Sequence, residues 1–235
     1  NHNLLRFPSA IRFAAFLWLF FIASSVAGQI SFDAPQQNPF GISPPLQNSR
    51  PALADIDGDG DADLFMGVSN GNYKYQENIG TATTPVFSSW MINPFGLSVQ
   101  GVSSTPTLAD IDNDGDQDLL AGELYGDLMF FENFGSTGNP AFDTASSGVQ
   151  FNPFGLPGGP YGARHNPTFA DLDGDGDYDI FSGTRYGTLY YFENIGTANA
   201  PAFDSAQTNP FAFTETGTFN ACLLYTSPSP RDIGE

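Results

Sequence analysis

Asp55 to Gly67 reads DIDGDGDADLFMG, with an aspartate at every odd position from 55 to 63. The spacing returns as DIDNDGDQD from Asp110 and DLDGDGDYD from Asp171. Carboxylates about 5 Å apart repel by about 3 kcal/mol per pair at an effective dielectric near 20, so such a loop folds only with compensating charge. The chain holds 7 Lys and Arg against 26 Asp and Glu. Arg6 and Arg12 precede an N-terminal apolar run and Arg231 lies in an atypical tail, so the compensation must come from outside. A hard cation that accepts many oxygen ligands supplies it, and calcium suits flexible loops of carboxylates and carbonyls better than magnesium. About three calcium sites are expected, one per copy. Their candidate ligands are Asp55, Asp57, Asp59, Asp61 and Asp63; Asp110, Asp112, Asp114, Asp116 and Asp118; and Asp171, Asp173, Asp175, Asp177 and Asp179.

D-x-[DN]-x-[DN]-G is also the opening of an EF-hand loop. Position 12, where that loop needs a bidentate Glu, holds Met66, Ala121 and Ser182, so a helix-loop-helix hand is excluded. The aspartate at position 9 must then close each site. The competing reading, solvated turns in which Asp caps its own backbone, does not require the same spacing three times.

The elements around these loops repeat as well. Asn-Pro-Phe recurs at Asn38, Asn93, Asn152 and Asn209. A variable stretch, PALAD, PTLAD or PTFAD, and the acidic loop come after the first three copies. Each loop runs into LFMG, LLAG or IFSG, then a glycine turn, NYKYQENIG, DLMFFENFG or TLYYFENIG, and finally PVF or PAF. Four short apolar segments separated by turn residues predict strands, and four strands per unit predict an all-β chain of propeller-type antiparallel blades. The units are 38–92, 93–151 and 152–208, with a fourth beginning at 209–221. Ile30-Ser31-Phe32-Asp33 is a candidate closing strand of an absent blade, so the expectation is an open arc with one apolar blade face exposed. The columns Tyr73/Leu128/Leu189 and Tyr75/Phe130/Tyr191 repeat apolar bulk at period 2, as core between blades rather than a sugar-binding ladder.

The ends read differently. Arg6 and Arg12, the apolar run Phe13 to Ile22, and the small residues Ala23 to Gly28 form a secretory signal-peptide pattern over residues 1–28, too short in its core to span a membrane comfortably. Cys222 to Asp232, CLLYTSPSPRD, resembles the in-frame translation of a transposase adapter, so residues 222–235 are set aside and the natural sequence is expected to stop near Ala221. A net charge of −19 leaves no basic stripe for nucleic acid.

The pattern A-D-x-D-x-D-G-D-x-D-[LI]-x-x-G followed by G-x-[LY]-x-[YF]-x-E-N-x-G resembles the FG-GAP/VCBS-type repeat, akin to the blades of integrin alpha-subunit propellers, from Ile30 to about Ala221. The resemblance implies a calcium-binding β-propeller of secreted or surface proteins that adhere or bind ligands. It places metal ligands on the first, third, fifth and ninth aspartates of each loop, with the seventh acting through its carbonyl. Asn113 departs from the glycine seen at 58 and 174, at a place where Asn also accepts a left-handed turn.

Two function classes are in play. The first is a non-enzymatic extracellular scaffold for adhesion or ligand binding, with structural calcium and an unidentified protein or glycan partner presented to the variable loops Ile42 to Arg50, Leu97 to Thr105 and Leu156 to Asn166. In the third loop, Tyr161, Arg164 and His165 are the polar and aromatic candidates, and His165 is expected at the surface. The second is a carbohydrate-binding or polysaccharide-degrading accessory region whose catalytic part lies elsewhere. Glu77, Glu132 and Glu193 could be acids, but each recurs in the same E-N-x-G turn, whereas a catalytic group is normally unique.

Overall fold

The computed structural model describes residues 34–42, 49–99, 101–142, 149–156, 158 and 163–211. The chain separates into two units, Asn1–Gln37 and Asn38–Glu235. The signal-peptide segment, the candidate closing strand, most of the fourth-unit start and the adapter-like tail lie outside the described residues. The blades all belong to the second unit.

The described residues build three sheets of four antiparallel strands, none closed into a barrel. The first holds β1 (Arg50–Ala54), β2 (Asp63–Gly67), β3 (Tyr73–Gln76) and β4 (Met91–Ile92). The second holds β5 (Thr105–Ala109), β6 (Asp118–Gly122), β7 (Leu128–Phe131) and β8 (Gln150–Phe151). The third holds β9 (Asn166–Ala170), β10 (Asp179–Gly183), β11 (Leu189–Phe192) and β12 (Gln207–Thr208). In each, strands pair in chain order, as in a propeller blade. The strands β2, β6 and β10 are buried along their whole length, which is why LFMG, LLAG and IFSG are continuous apolar runs rather than alternating ones.

One strand differs from the sequence reading. PVF and PAF do not form the fourth strand. Phe87, Phe142 and Phe203 make single bridges to Asn78, Asn133 and Asn194, and the outer strand is the residue pair just before Asn-Pro-Phe. The reason lies in the E-N-x-G turn. Asn78 Oδ1 accepts the N–H groups of Gly80 and Val86, and Asn133 and Asn194 do the same for their own turns, so the chain leaves the ladder there.

Asn-Pro-Phe fastens blade to blade. The asparagines and phenylalanines of all four copies have positive φ, and Oδ1 of Asn93, Asn152 and Asn209 accepts the first N–H of β3, β7 and β11, from Tyr73, Leu128 and Leu189. Phe95 then packs between Tyr75 of one blade, at 5.0 Å, and Phe142 of the next, at 6.5 Å. Phe154 repeats this between Phe130 and Phe203. Two core clusters result, one centred on Phe65, Tyr73, Tyr75, Leu119 and Phe131, the other on Leu120, Phe130, Phe169, Ile180 and Phe192. The aromatic columns are therefore core: Tyr73, Tyr75, Phe130 and Tyr191 are buried, and none is available as a sugar ladder. Leu189 and Tyr190, counterparts of fully buried Leu128 and Met129, are only half-buried, because among the described residues no further blade lies beside them.

Candidate metal centre

Each acidic loop connects the inner strand of a blade to the second strand, with Ala54 opposite Asp63, Ala109 opposite Asp118 and Ala170 opposite Asp179. The glycines make the loop possible: Gly58, Gly60, Gly115, Gly174 and Gly176 all have positive φ, and Asn113, standing where the other copies have glycine, adopts φ 59°.

The carboxylates organise their own loop. Asp55 takes the N–H of Gly58 at 2.7 Å on one oxygen and that of Gly60 at 3.0 Å on the other. Asp59 accepts from Asp61 N at 3.1 Å, and Asp114 and Asp175 accept likewise from Asp116 and Asp177 at 3.1 Å. This leaves the first, third and fifth carboxylates converging: Asp55, Asp57 and Asp59 each offer an oxygen within 4.8 Å of the others, as do Asp110, Asp112 and Asp114, and Asp171, Asp173 and Asp175.

The seventh and ninth aspartates are placed differently. Asp61, Asp116 and Asp177 are more than nine-tenths buried, and in all three Oδ1 is buried without a hydrogen-bond partner. An acceptor that loses its water without gaining a donor costs stability, and the same atom is left so in every copy. The ninth aspartates hold the blade together. Asp63 Oδ1 accepts Asn78 N at 2.7 Å, and its Oδ2 accepts Ile56 N at 3.3 Å and Tyr75 Oη at 3.0 Å. Asp179 has the same three donors in Asn194 N, Leu172 N and Tyr191 Oη. Asp118 has only the backbone pair, Asn133 N and Ile111 N, because Phe130 replaces the tyrosine.

The electrostatics reflect this placement. Burial pushes Asp63 up to about 6, against the donors from Asn78 and Tyr75. Asp118, more deeply enclosed and without a phenol, is pushed to about 8, again chiefly by burial. Asp116 rises to about 6 through burial and then the charges of Asp114, Asp112 and Asp110, while Asp61 and Asp177 rise for the same reasons within their own loops. Without a cation these enclosed carboxylates, Asp61, Asp63, Asp116, Asp118 and Asp177, resist ionisation. The donor set fits a divalent oxygen-seeking ion: converging carboxylates, an orphaned buried oxygen, and no nitrogen or sulfur ligand in the cluster.

One residue stands elsewhere than the sequence predicts, and another has an added neighbour. Glu132, read as turn support, opens the E-N-x-G turn after β7, and its carboxyl is raised by burial and then by the charges of Asp112 and Asp114 of the second loop. His165, expected at the surface, is buried with Nδ1 2.9 Å from Ser182 Oγ, and burial pulls it down to about 4. It directly precedes β9 in the interface where Thr105 Oγ1 donates to its carbonyl, a contact no local pattern reveals.

The FG-GAP-like repeat pattern matches residues 55–121 and 110–182, which together run from the first acidic loop to the second strand of the third blade, more than half of the chain. The chain belongs to the FG-GAP-like repeat family. Each matched FG-GAP-like segment starts on the first aspartate of an acidic loop and runs to the second strand of the following blade, so the repeat unit spans a blade junction. Among solved structures, the Photorhabdus luminescens Tc holotoxin pore is similar over 73% of this chain, at 20% identity and a TM-score of 0.41, and the match covers 7% of that chain. No curated protein matches.

Proposed function

We propose that this FG-GAP-like chain is a secreted or cell-surface scaffold whose three acidic loops each bind one structural calcium ion, leaving the opposite end of the blades to engage a ligand. The observation that carries the reading is the orphaned Oδ1 of Asp61, Asp116 and Asp177 beside three converging carboxylates, in the same place three times. The first, third and fifth aspartates would hold the ion, and the seventh offers the unmatched acceptor. In this role the ion neutralises loop charge and fixes the turn between the inner and second strands. The ninth aspartate is committed to the blade through its N–H donors, linking loop order to core order.

The reading is non-catalytic. Threefold repetition suits a structural clip, and the three candidate glutamates repeat with it. Export rests on the pattern of residues 1–28, and the expected outcome of expression in a secreting host is a mature chain beginning near Gln29. Limited proteolysis tests the structural role: with calcium the loops at 55–63, 110–118 and 171–179 should resist cleavage, and with chelator they should be cut first. Equal cleavage in both conditions would overturn it.

A further inference from the structure

Each E-N-x-G segment runs into a tight turn before PVF or PAF, and the turn of the second blade lies between two acidic loops. It is closed on itself by Ser136 N donating to Asn139 O at 3.2 Å and Asn139 N donating to Ser136 O at 2.8 Å, while Asn133 Oδ1 accepts the N–H groups of Gly135 and Ala141. Within its own blade this turn is tied to the second acidic loop. Thr137 Oγ1 donates to Gly115 O at 2.6 Å, and Asn133 Nδ2 donates to Gln117 O at 3.3 Å. Across the junction it stands against the first acidic loop. A methyl group at Gly58 would lie 2.4 Å from Thr137 Cγ2 and 3.3 Å from Thr137 O, and one at Gly138 would lie 3.7 Å from Asp57 O.

Both contacts fall on backbone that carries candidate ligands. Gly58 lies between Asp57 and Asp59 of the first converging trio, and Gly115 lies between Asp114 of the second trio and Asp116, whose buried Oδ1 has no partner. Gly58 therefore has two reasons to be glycine, its φ of 74° and the room it leaves for Thr137. The next junction is built differently. In the aligned repeats Thr137 corresponds to Ala82 and Ala198, and Gly58 to Asn113 and Gly174, so the junction between the second and third blades pairs Asn113 with Ala198. It has neither the hydroxyl on the turn nor the open glycine on the loop. An acidic loop holds like charges together and loses backbone freedom when it orders, and the ion offsets both costs. A side chain that touches two such loops passes part of the order of one to the other.

We propose that Thr137 is a positioning residue shared by the first and second cation sites, so that each binds calcium more tightly when the other is filled. The proposal rests on the calcium reading of the loops and adds a link between two of them. With the second loop ordered around its ion, Gly115 O is fixed as the acceptor for Thr137, and the turn is held over Gly58 and beside Asp57 O. The first loop then has less freedom to lose when its own ion arrives. Linkage makes the effect reciprocal, so an ion in the first loop favours the second by the same factor. The third loop, with Ala198 in place of the threonine at its blade's turn, stands outside this link.

The test is calorimetric calcium titration of the full chain in three backgrounds: Asp173→Asn, which leaves the first two sites, and the same chain with Asp57→Asn or Asp112→Asn added, which leaves one of them. The expected result is that the product of the two association constants in the two-site chain exceeds the product of the single-site constants by at least about fivefold. Thr137→Ala, which removes both contacts, and Thr137→Val, which keeps the methyl groups but cannot donate to Gly115 O, should each bring that ratio to about one. The third site, measured alone in a chain carrying Asp57→Asn and Asp112→Asn, serves as the folding control, and its affinity should be the same with and without Thr137→Ala. Independent binding at the first two sites, or coupling that survives either Thr137 variant, would overturn the proposal and leave the calcium reading standing. No calcium binding in any background would overturn both.

Discussion

Gly122→Ala should break the junction between the second and third blades. A methyl group at Gly122 would lie 2.1 Å from His165 O, 2.6 Å from His165 C and 2.8 Å from Thr105 Oγ1. The first two are backbone atoms, so no side-chain rotation relieves the overlap and the blades must part by more than 1 Å, on the order of the shortfall from ordinary van der Waals contact. Parting them also strains the hydroxyl of Thr105, which donates to both Gly122 O and His165 O. Overpacking costs about 1–3 kcal/mol and a buried hydrogen bond about 1 kcal/mol, so the total is about 2–4 kcal/mol. For a domain of this size that lowers the melting temperature by roughly 4–16 °C. Gly115→Ala is the matched control: its φ is 101° but nothing lies within 4 Å, so only backbone strain of about 1–2 kcal/mol applies. Thermal unfolding of both variants in saturating calcium checks the difference. A Gly122→Ala chain as stable as Gly115→Ala would refute the close inter-blade packing.

The buried His165 gives an acid-sensitive junction. Its folded pKa of about 4 lies below the ordinary 6.5, so its contribution is complete above pH 6.5 and is lost as pH falls toward 4, by about 3 kcal/mol; the stability difference between the chain and His165→Gln should shrink over that window. The acidic loops act in the opposite sense without calcium. Asp116 and Asp118 are raised to about 6 and about 8, so the stability tied to their protonated forms is present below pH 4 and lost as pH rises through those values. Unfolding of the calcium-free chain should therefore show stability falling from pH 5 to 8, and Asp116→Asn should flatten that fall while weakening calcium binding. Tyr75→Phe removes the phenol donor to Asp63, at a cost of about 1.5–3 kcal/mol measured by denaturant unfolding. A variant as stable as the parent would show that this hydrogen bond contributes nothing to the blade.

Much of the fold is legible in the sequence because the repeat carries it. Three identical aspartate spacings, each running into an apolar strand, specify both the loop and the strand that anchors it, and period-2 bulk in β3, β7 and β11 marks the inter-blade core. The fourth strand is not legible, since PVF and PAF recur in every copy whereas the pairs Met91–Ile92, Gln150–Phe151 and Gln207–Thr208 that form the strand share no sequence pattern. What decides is the Asn78 side chain, which satisfies two backbone donors and turns the chain out of the ladder. The division of labour among the aspartates is also hidden. Spacing alone cannot separate Asp61, whose Oδ1 has no donor, from Asp63, whose oxygens have three. His165 escapes a sequence reading because its burial comes from the neighbouring blade, through Thr105, sixty residues away in sequence.

The central claim is that the acidic loops are cation sites, and calorimetric calcium titration of the full chain at pH 7.5, paired with thermal unfolding, tests it most directly. The expected result is about three calcium ions bound per chain, one for each converging aspartate trio, with a rise in melting temperature that Asp57→Asn, Asp112→Asn and Asp173→Asn each reduce by one site's share. No heat and no gain in melting temperature at millimolar calcium would contradict it.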